Sequence, residues 1–134
     1  MPIERLVDHE RRLVEFVFHG AITKDDIVAH RREMDATEPE TFGYDALVDA
    51  RQGSLDLTIL EIRDVANGAR EARWPRSRCA LVTCHDPAFT DFKLLELWGS
   101  RGPREYRVFR SLGEACAWLG VEHAGLCSEH AARG

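Results

Sequence analysis

The chain has 134 residues, of which 44% are hydrophobic and 31% are charged, and its formal net charge is −5. This length fits one domain, and this composition is ordinary for a globular protein. The negative net charge argues against nucleic acid as a partner, because contact with phosphates needs a basic surface. No apolar run approaches the ~18 residues of a membrane-spanning helix, so membrane insertion is not expected.

The amino terminus is charged and lacks the apolar segment of a signal peptide. Without an export signal, the four irregularly spaced cysteines are expected to be reduced thiols. The expected location is therefore the cytoplasm. The cysteines are Cys79, Cys84, Cys116 and Cys127.

The first predicted elements are two strands joined by a tight turn near residues 9–11. Val14, Phe16 and Phe18 alternate with other positions, which indicates a strand with one buried face. A weaker alternation precedes the charged turn, so we expect an antiparallel hairpin whose second strand ends at Gly20.

A first helix is predicted to follow Thr23, because Thr23 and Asp26 form a variant of the capping box. Three residues of this helix are expected to share one face. They are Ile27, His30 and Met34.

The segment 46–50 is short and apolar, which is typical of a buried strand. Gly53 and Ser54 are expected to form a turn. Thr58 and Glu61 then make a full T-x-x-E capping box, which predicts a second helix. The apolar stripe of that helix is expected to consist of Ile59, Ile62, Ala66 and Ala69.

Two further strands are predicted at 79–84 and 105–110, on either side of a third helix. That helix is expected to have Asp86 as its cap, Pro87 as its first residue and Gly99 at its end. A last helix should follow Ser111, which begins another S-x-x-E pattern. Its inner face is expected to carry Leu112, Ala115, Cys116 and Leu119.

The element order is thus ββαβαβαβα, which predicts an α/β fold. We expect a five-stranded mixed sheet with an antiparallel hairpin at its start, other strands mostly parallel, and four helices. Residues 1–120 are expected to form the domain, and residues 121–134 a flexible polar tail.

Three local patterns give this order a family resemblance. They are G-A-I-T-x-x-D at residues 20–26, L-V-D-A-R at residues 47–51, and V-F-R-S-L-x-E-A at residues 108–115, which leads to Trp118 and Leu119. Over residues 3–120 the chain resembles the SpoIIAA-like branch of the STAS superfamily. The resemblance implies a small cytosolic protein with a five-stranded sheet and four helices. The fold is also similar to the lipid-binding CRAL-TRIO (Sec14-type) domains, which suggests an apolar ligand by analogy.

Ser54 and Thr58 form the first candidate site, a regulatory turn. The resemblance implies that Thr58 lies near a serine that is phosphorylated in the anti-sigma-factor antagonists. A helix N-terminus also tolerates added negative charge. The alternative is that Thr58 only caps the second helix, together with Glu61.

The third helix carries more apolar side chains than one core-facing stripe needs. Some of them are therefore expected to face a partner, a second copy of the chain or a ligand, unless the helix lies in a deep groove. This candidate surface consists of Phe89, Phe92, Leu94, Leu95, Leu97 and Trp98.

Three other groups have the residue types of a chemical site. Cys84, His85 and Asp86 could suggest a nucleophile, but neighbouring strand residues point to opposite faces. A zinc site would need the tail residues and Cys116, and an anion site would need a basic run around Trp74. The tail residues are His123, Cys127 and His130, and the basic run is Arg70, Arg73, Arg76 and Arg78.

We therefore expect a non-enzymatic binding or regulatory module, without cofactor or metal, that contacts a protein partner or forms a homodimer. The first alternative is a carrier of an apolar or lipid-like molecule, with a pocket between the second and third helices and the sheet. The second alternative is a thiol- or metal-dependent enzyme, for which the chain offers no base, orienting group and nucleophile on compatible faces.

Overall fold

The computed structural model describes residues 2–68 and 76–122. A short 3₁₀ turn at Pro39–Gly43 lies between the first helix and the fourth strand. In chain order, the strands and helices are β1 (Ile3–Asp8), β2 (Leu13–Phe18), β3 (Gly20–Thr23), α1 (Lys24–Thr37), β4 (Asp45–Asp49), β5 (Gly53–Asp56), α2 (Ile59–Gly68), β6 (Ser77–Val82), α3 (Asp86–Gly99), β7 (Arg104–Phe109) and α4 (Leu112–Leu119).

The main sheet has five strands in the order β1-β2-β4-β6-β7. β1 and β2 are antiparallel, and the other neighbouring pairs are parallel. The predicted α/β fold with an antiparallel opening hairpin and four helices is therefore confirmed. The hairpin turn is held by Asp8, whose carboxylate accepts hydrogen bonds from the backbone and the side chain of Arg11.

Helices cover both faces of the main sheet. One core contains buried residues of α2 and α3, and the other is closed by α4. The prediction of one buried face for β2 is therefore wrong, because Leu13 and Val17 pack beneath α4 as well. Glu15 shares their side of the strand and has an exposed fraction of 0%.

A second, two-stranded parallel sheet pairs β3 with β5. Here the sequence prediction is wrong twice, since Gly20 begins a strand and Gly53 and Ser54 belong to one. Gly20 has a φ of 67°, which turns the chain out of the main sheet and which glycine adopts without strain. Such short strands give no detectable alternation.

Helix starts follow the predicted capping patterns closely. The Thr23–Asp26 capping box is complete, and the Ser111 side chain accepts a hydrogen bond from the Glu114 backbone. At α3 the cap lies one residue earlier than predicted, at His85, so Asp86 is helical. All four predicted inner residues of α4 are buried.

The predicted stripe of α2 needs one correction. Ile59 is 64% exposed, and Val65 is buried together with Ile62 and Ala66. Ile59 is the first residue of the helix, and the buried residues of the helix begin three positions later, at Ile62. Ala69 lies outside the described residues.

No helix within residues 2–68 and 76–122 combines the length and the apolar character needed to cross a membrane.

Gly53 is a point where the two sheets approach each other closely. A Cβ atom there would lie 2.8 Å from the Phe18 carbonyl oxygen and 2.9 Å from the Phe18 Cβ. We expect Gly53→Ala to lower the free energy of unfolding by about 1–3 kcal/mol, because backbone must shift to admit the methyl group.

Gly113→Ala is the matched control, since a Cβ at Gly113 would have no neighbour within 4 Å. This helical substitution should raise the free energy of unfolding by about 0.4–1 kcal/mol. Urea unfolding of both variants measures the difference. Equal stability of wild type and Gly53→Ala would contradict the close approach of the two sheets.

Candidate functional site

An apolar cavity lies between the main sheet and helices α1, α2 and α3. Its volume is about 110 Å³. Every helix on this face and the strands beneath contribute to its wall. The lining residues are Ile3, Phe16, Phe18, Ile27, His30, Arg31, Met34, Phe42, Val48, Leu55, Leu57, Ile62, Val65, Cys79, Leu81, Phe92, Leu95, Arg104 and Tyr106.

The cavity exists because α1 does not pack tightly on the sheet. α2 has three buried residues and α3 has four, whereas Met34 is the one buried residue of α1. Ile27 and His30 are only half-buried, and both line the cavity with Met34. The shared face predicted for these three residues is therefore the face of α1 that closes the cavity.

The floor and the far wall are apolar. Val48 of β4 and Leu81 of β6 form the floor, and Ile62 of α2 and Phe92 of α3 form the wall. All four side chains are buried. This part of the cavity offers contact surface but no hydrogen-bonding side chain, so an apolar group is the occupant it suits.

One end of the cavity is polar. Arg31 of α1 and Arg104 of β7 line it together with Cys79 and Tyr106, which are paired in register on β6 and β7. Arg31 Nη1 donates a hydrogen bond of 3.1 Å to the carbonyl oxygen of Val65, near the end of α2. A cation at that position also interacts favourably with the helix dipole.

Arg104 is held by three acceptors. Its Nε donates to Ser77 Oγ at 3.1 Å, and its Nη2 donates to the carbonyl oxygens of Phe42 at 2.7 Å and Tyr44 at 3.1 Å. The 3₁₀ turn and the first residues of β6 and β7 therefore fix the guanidinium in place.

Burial changes the ionisation of these groups. It raises the pKa of the Cys79 thiol to about 11 and raises the pKa of the Tyr106 phenol, so both are neutral near pH 7. Burial also lowers the pKa of the Arg31 guanidinium, and the charge of Arg104 acts in the same direction. The polar end of the cavity thus carries two positive charges beside two neutral groups.

His30 separates the cavity from an outer polar groove that runs along β1. The His30 ring packs edge-on against Phe16, with 5.6 Å between ring centroids. Its Nε2 lies 3.1 Å from Arg5 Nη1, and Arg5 also pairs with Glu38 at 3.4 Å. Burial lowers the pKa of the His30 imidazole, and the charge of Arg5 lowers it further.

The predicted surface of α3 is divided by the structure. Phe92 and Leu95 are buried and line the cavity. The half-buried members, Phe89, Leu94 and Trp98, pack against the core. Leu97 is 61% exposed. Of the predicted surface, Phe92 and Leu95 are thus the residues that a ligand in the cavity would contact. Contact of this helix with a partner stays a prediction.

The candidate regulatory turn is accessible. Thr58 caps α2 as predicted, since its side chain accepts from the Glu61 backbone at 3.2 Å and its own N–H donates to the Glu61 carboxylate at 2.9 Å. Thr58 and Ser54 are both exposed, and neither lines the cavity. Phosphorylation of either residue stays a prediction.

The remaining candidate groups do not converge. Cys84 and His85 are exposed after β6, and Asp86 pairs with Arg110 at 2.9 Å. Arg78 donates to the Trp118 carbonyl oxygen, while Arg76 is exposed. Within the described part of the chain, no three potential metal ligands cluster. Arg70, Arg73, Trp74, His123, Cys127 and His130, and most of the predicted tail, lie outside the described residues.

Sequence reasoning missed the polar end of the cavity. A signal for Arg31 existed, because it stands between Ile27 and Met34 at the spacing of one helix face. No signal linked Arg31 to Arg104, which lies 73 positions further along the chain. The pocket predicted between α2, α3 and the sheet is also lined by α1.

No family model and no curated protein matches the chain. Among solved structures, the chain is similar to an uncharacterised protein of the DUF3478 family with a SpoIIAA-like fold from Shewanella loihica. The TM-score is 0.55 at 16% sequence identity, over 87% of this chain and 91% of that chain. The predicted SpoIIAA-like fold is confirmed by this match.

The ionisation of Cys79 can be tested by alkylation. At pH 8 the raised pKa leaves about a hundredfold less thiolate on Cys79 than on an ordinary cysteine, because two pKa units separate them. The exposed Cys84 should therefore react with iodoacetamide at least about a hundred times faster. Peptide mass mapping over time measures both rates in one sample, and comparable rates would contradict a buried, protonated Cys79.

Proposed function

We propose that this protein, which has a SpoIIAA-like fold, binds a small apolar molecule in the cavity beneath α1 and acts as its carrier. The observation that supports this proposal is the cavity itself, which three helices and the sheet surround with apolar side chains. Core packing in proteins usually leaves few voids larger than a water molecule. An apolar pocket with a few converging polar groups is the default hypothesis for a ligand site.

The size of the cavity limits the occupant. Its volume of about 110 Å³ is comparable with the ~150 Å³ apolar cavity that binds benzene in another protein. A ring or a short alkyl chain therefore fits inside. A longer molecule would extend past the half-buried side chains of Phe16 and His30 toward the outer groove.

The proposal describes binding without catalysis, in the cytoplasm. The one thiol in the cavity, Cys79, is held protonated by burial, which makes it a poor nucleophile. Both guanidiniums are anchored to backbone carbonyl oxygens. Within the described residues, Cys79, Cys84 and Cys116 form no disulfide with one another, which suits a reducing compartment.

A second candidate function is a regulatory contact with a protein partner or with a second copy of the chain. The observation that favours it is a pair of exposed apolar side chains directly after Thr58. Ile59 and Leu60 are 64% and 61% exposed. A phosphate on Thr58 would lie beside this apolar pair and would change its affinity for a partner.

Filling the cavity should weaken binding without unfolding the protein. We expect Val48→Phe to weaken the binding of benzene at least about tenfold, equivalent to ~1.4 kcal/mol. The added ring would occupy the space above β4 that Val48 now lines. Ligand-observed NMR measures the binding of benzene to wild type and variant.

Val17→Phe is the matched control, because Val17 is also buried but packs beneath α4 on the other face. In that packed core the larger ring should cost about 1–3 kcal/mol of stability, whereas Val48→Phe should cost less. Unchanged benzene affinity in a folded Val48→Phe protein would count against the cavity as the binding site.

Two substitutions test the two roles considered for Thr58, which are capping α2 and changing a contact between proteins when it carries negative charge. Thr58→Ala should lower the free energy of unfolding by about 0.5–2 kcal/mol, because the cap is lost, whereas Thr58→Asp should retain it. Urea unfolding measures both. Sedimentation of Thr58→Asp tests the second candidate, which predicts a change in mass relative to wild type. Equal stability of Thr58→Ala and wild type would contradict the capping role.

A further inference from the structure

The polar end of the cavity brings together two cations from distant parts of the chain. Arg31 reaches it from α1, and Arg104 reaches it from the start of β7. Burial lowers the pKa of Arg31, and the charge of Arg104 lowers it further, so both disfavour the charged form of Arg31. Two like charges at one end of an apolar cavity destabilise each other more than they would in water.

Two other titratable side chains line this end, Cys79 and Tyr106, and neither offsets the two cations near neutral pH. Tyr106 and Cys79 act on Arg31, but both are uncharged at pH 7 because burial raises the pKa of each. The Asp45 carboxylate acts on Cys79 and accepts a hydrogen bond of 2.9 Å from the Arg78 backbone.

Arg31 retains hydrogen-bonding capacity toward the cavity. A guanidinium has five N–H donors in a planar fork. Within residues 2–68 and 76–122, the Arg31 side chain makes one hydrogen bond, which Nη1 donates to the Val65 carbonyl oxygen. That bond anchors one edge of the group, and the cavity lies beside the rest.

We propose that the ligand is an amphiphile with a single carboxylate, which binds between Arg31 and Arg104 while its apolar body lies over Val48 and Leu81 toward Phe92. This inference rests on the proposed function, since it names the chemical class of the ligand for the same cavity.

A carboxylate suits this position for two reasons. Its two oxygens match the fork of a guanidinium, and such charge-assisted hydrogen bonds are stronger than neutral ones. Its negative charge also relieves the repulsion between the two arginines. An ammonium group would add a third positive charge, and a hydroxyl would relieve none of the repulsion.

The experiment compares three probes with the same six-carbon chain on the unmodified protein. We expect hexanoate to bind at least about tenfold more tightly than hexan-1-ol, because one hydrogen bond to a charged group has that effect or more. Hexylammonium should bind most weakly. NMR titration of the protein at pH 7.5 measures the three dissociation constants.

Two variants locate the effect. Arg31→Met should lower the affinity for hexanoate about tenfold or more and leave hexan-1-ol nearly unchanged, and Arg31→Lys should retain part of the preference for the anion. Arg32→Met is the matched control on the same helix, because Arg32 is exposed and does not line the cavity. It should bind all three probes as wild type does.

The outcomes separate this inference from the proposed function. If hexan-1-ol binds as tightly as hexanoate, the cavity is a ligand site but the carboxylate is wrong. If none of the probes binds, the proposed function fails as well. The probe comparison on wild type decides the question even if Arg31→Met fails to fold. A folded Arg31→Met protein that keeps the full preference for hexanoate would also overturn the inference.

Discussion

The hydrogen bond from Arg31 to the Val65 carbonyl oxygen joins α1 to the last turn of α2. It couples two helices across a space that their apolar side chains do not fill. Arg31 stands where a helix of this kind would ordinarily place an apolar residue, between Ile27 and Met34. The Arg31 guanidinium is anchored at the end of α2, so it lines the cavity beneath α1 and does not fill it.

This arrangement has an energetic cost that a ligand would offset. An apolar cavity destabilises a protein by about 24 cal/mol per Å³. A volume of about 110 Å³ therefore costs on the order of 2–3 kcal/mol, a substantial part of the 5–15 kcal/mol that stabilises a typical domain. An apolar occupant restores the missing contacts. An occupant that binds only the folded state would make the loaded protein more stable than the empty one.

The two faces of the main sheet are packed differently. α4 covers one face with four buried residues and makes a dense core with β2, β4 and β6. The other face carries α1, α2 and α3 and contains the cavity. The register of β6 and β7 pairs Cys79 with Tyr106 at the polar end of the cavity. Arg104 depends on the same register, because its acceptor Ser77 is its partner on β6.

Local patterns in the sequence predicted most of the fold and little of the site. Alternation and capping boxes located the five strands of the main sheet and the four helices, because both signals come from neighbouring residues. The sequence did not predict the β3–β5 pair, since strands of four residues that begin at Gly20 and Gly53 show no alternation of apolar and polar residues. Alternation predicted one buried face for β2, whereas Glu15 and Val17 on the other face are also buried, because their burial depends on tertiary packing. The cavity could not be predicted, since no local pattern shows that Arg31 bonds to the Val65 carbonyl oxygen instead of facing solvent, as arginines on helices mostly do.

The most direct test of the account is a crystal of the unliganded protein placed under xenon pressure. Xenon enters dry apolar cavities and is located by its anomalous scattering. The account predicts a xenon peak between α1 and the sheet, within contact distance of Val48, Leu81 and Phe92. A crystal in which these side chains meet one another, with no xenon among them, would contradict the existence of the cavity and the carrier function built on it.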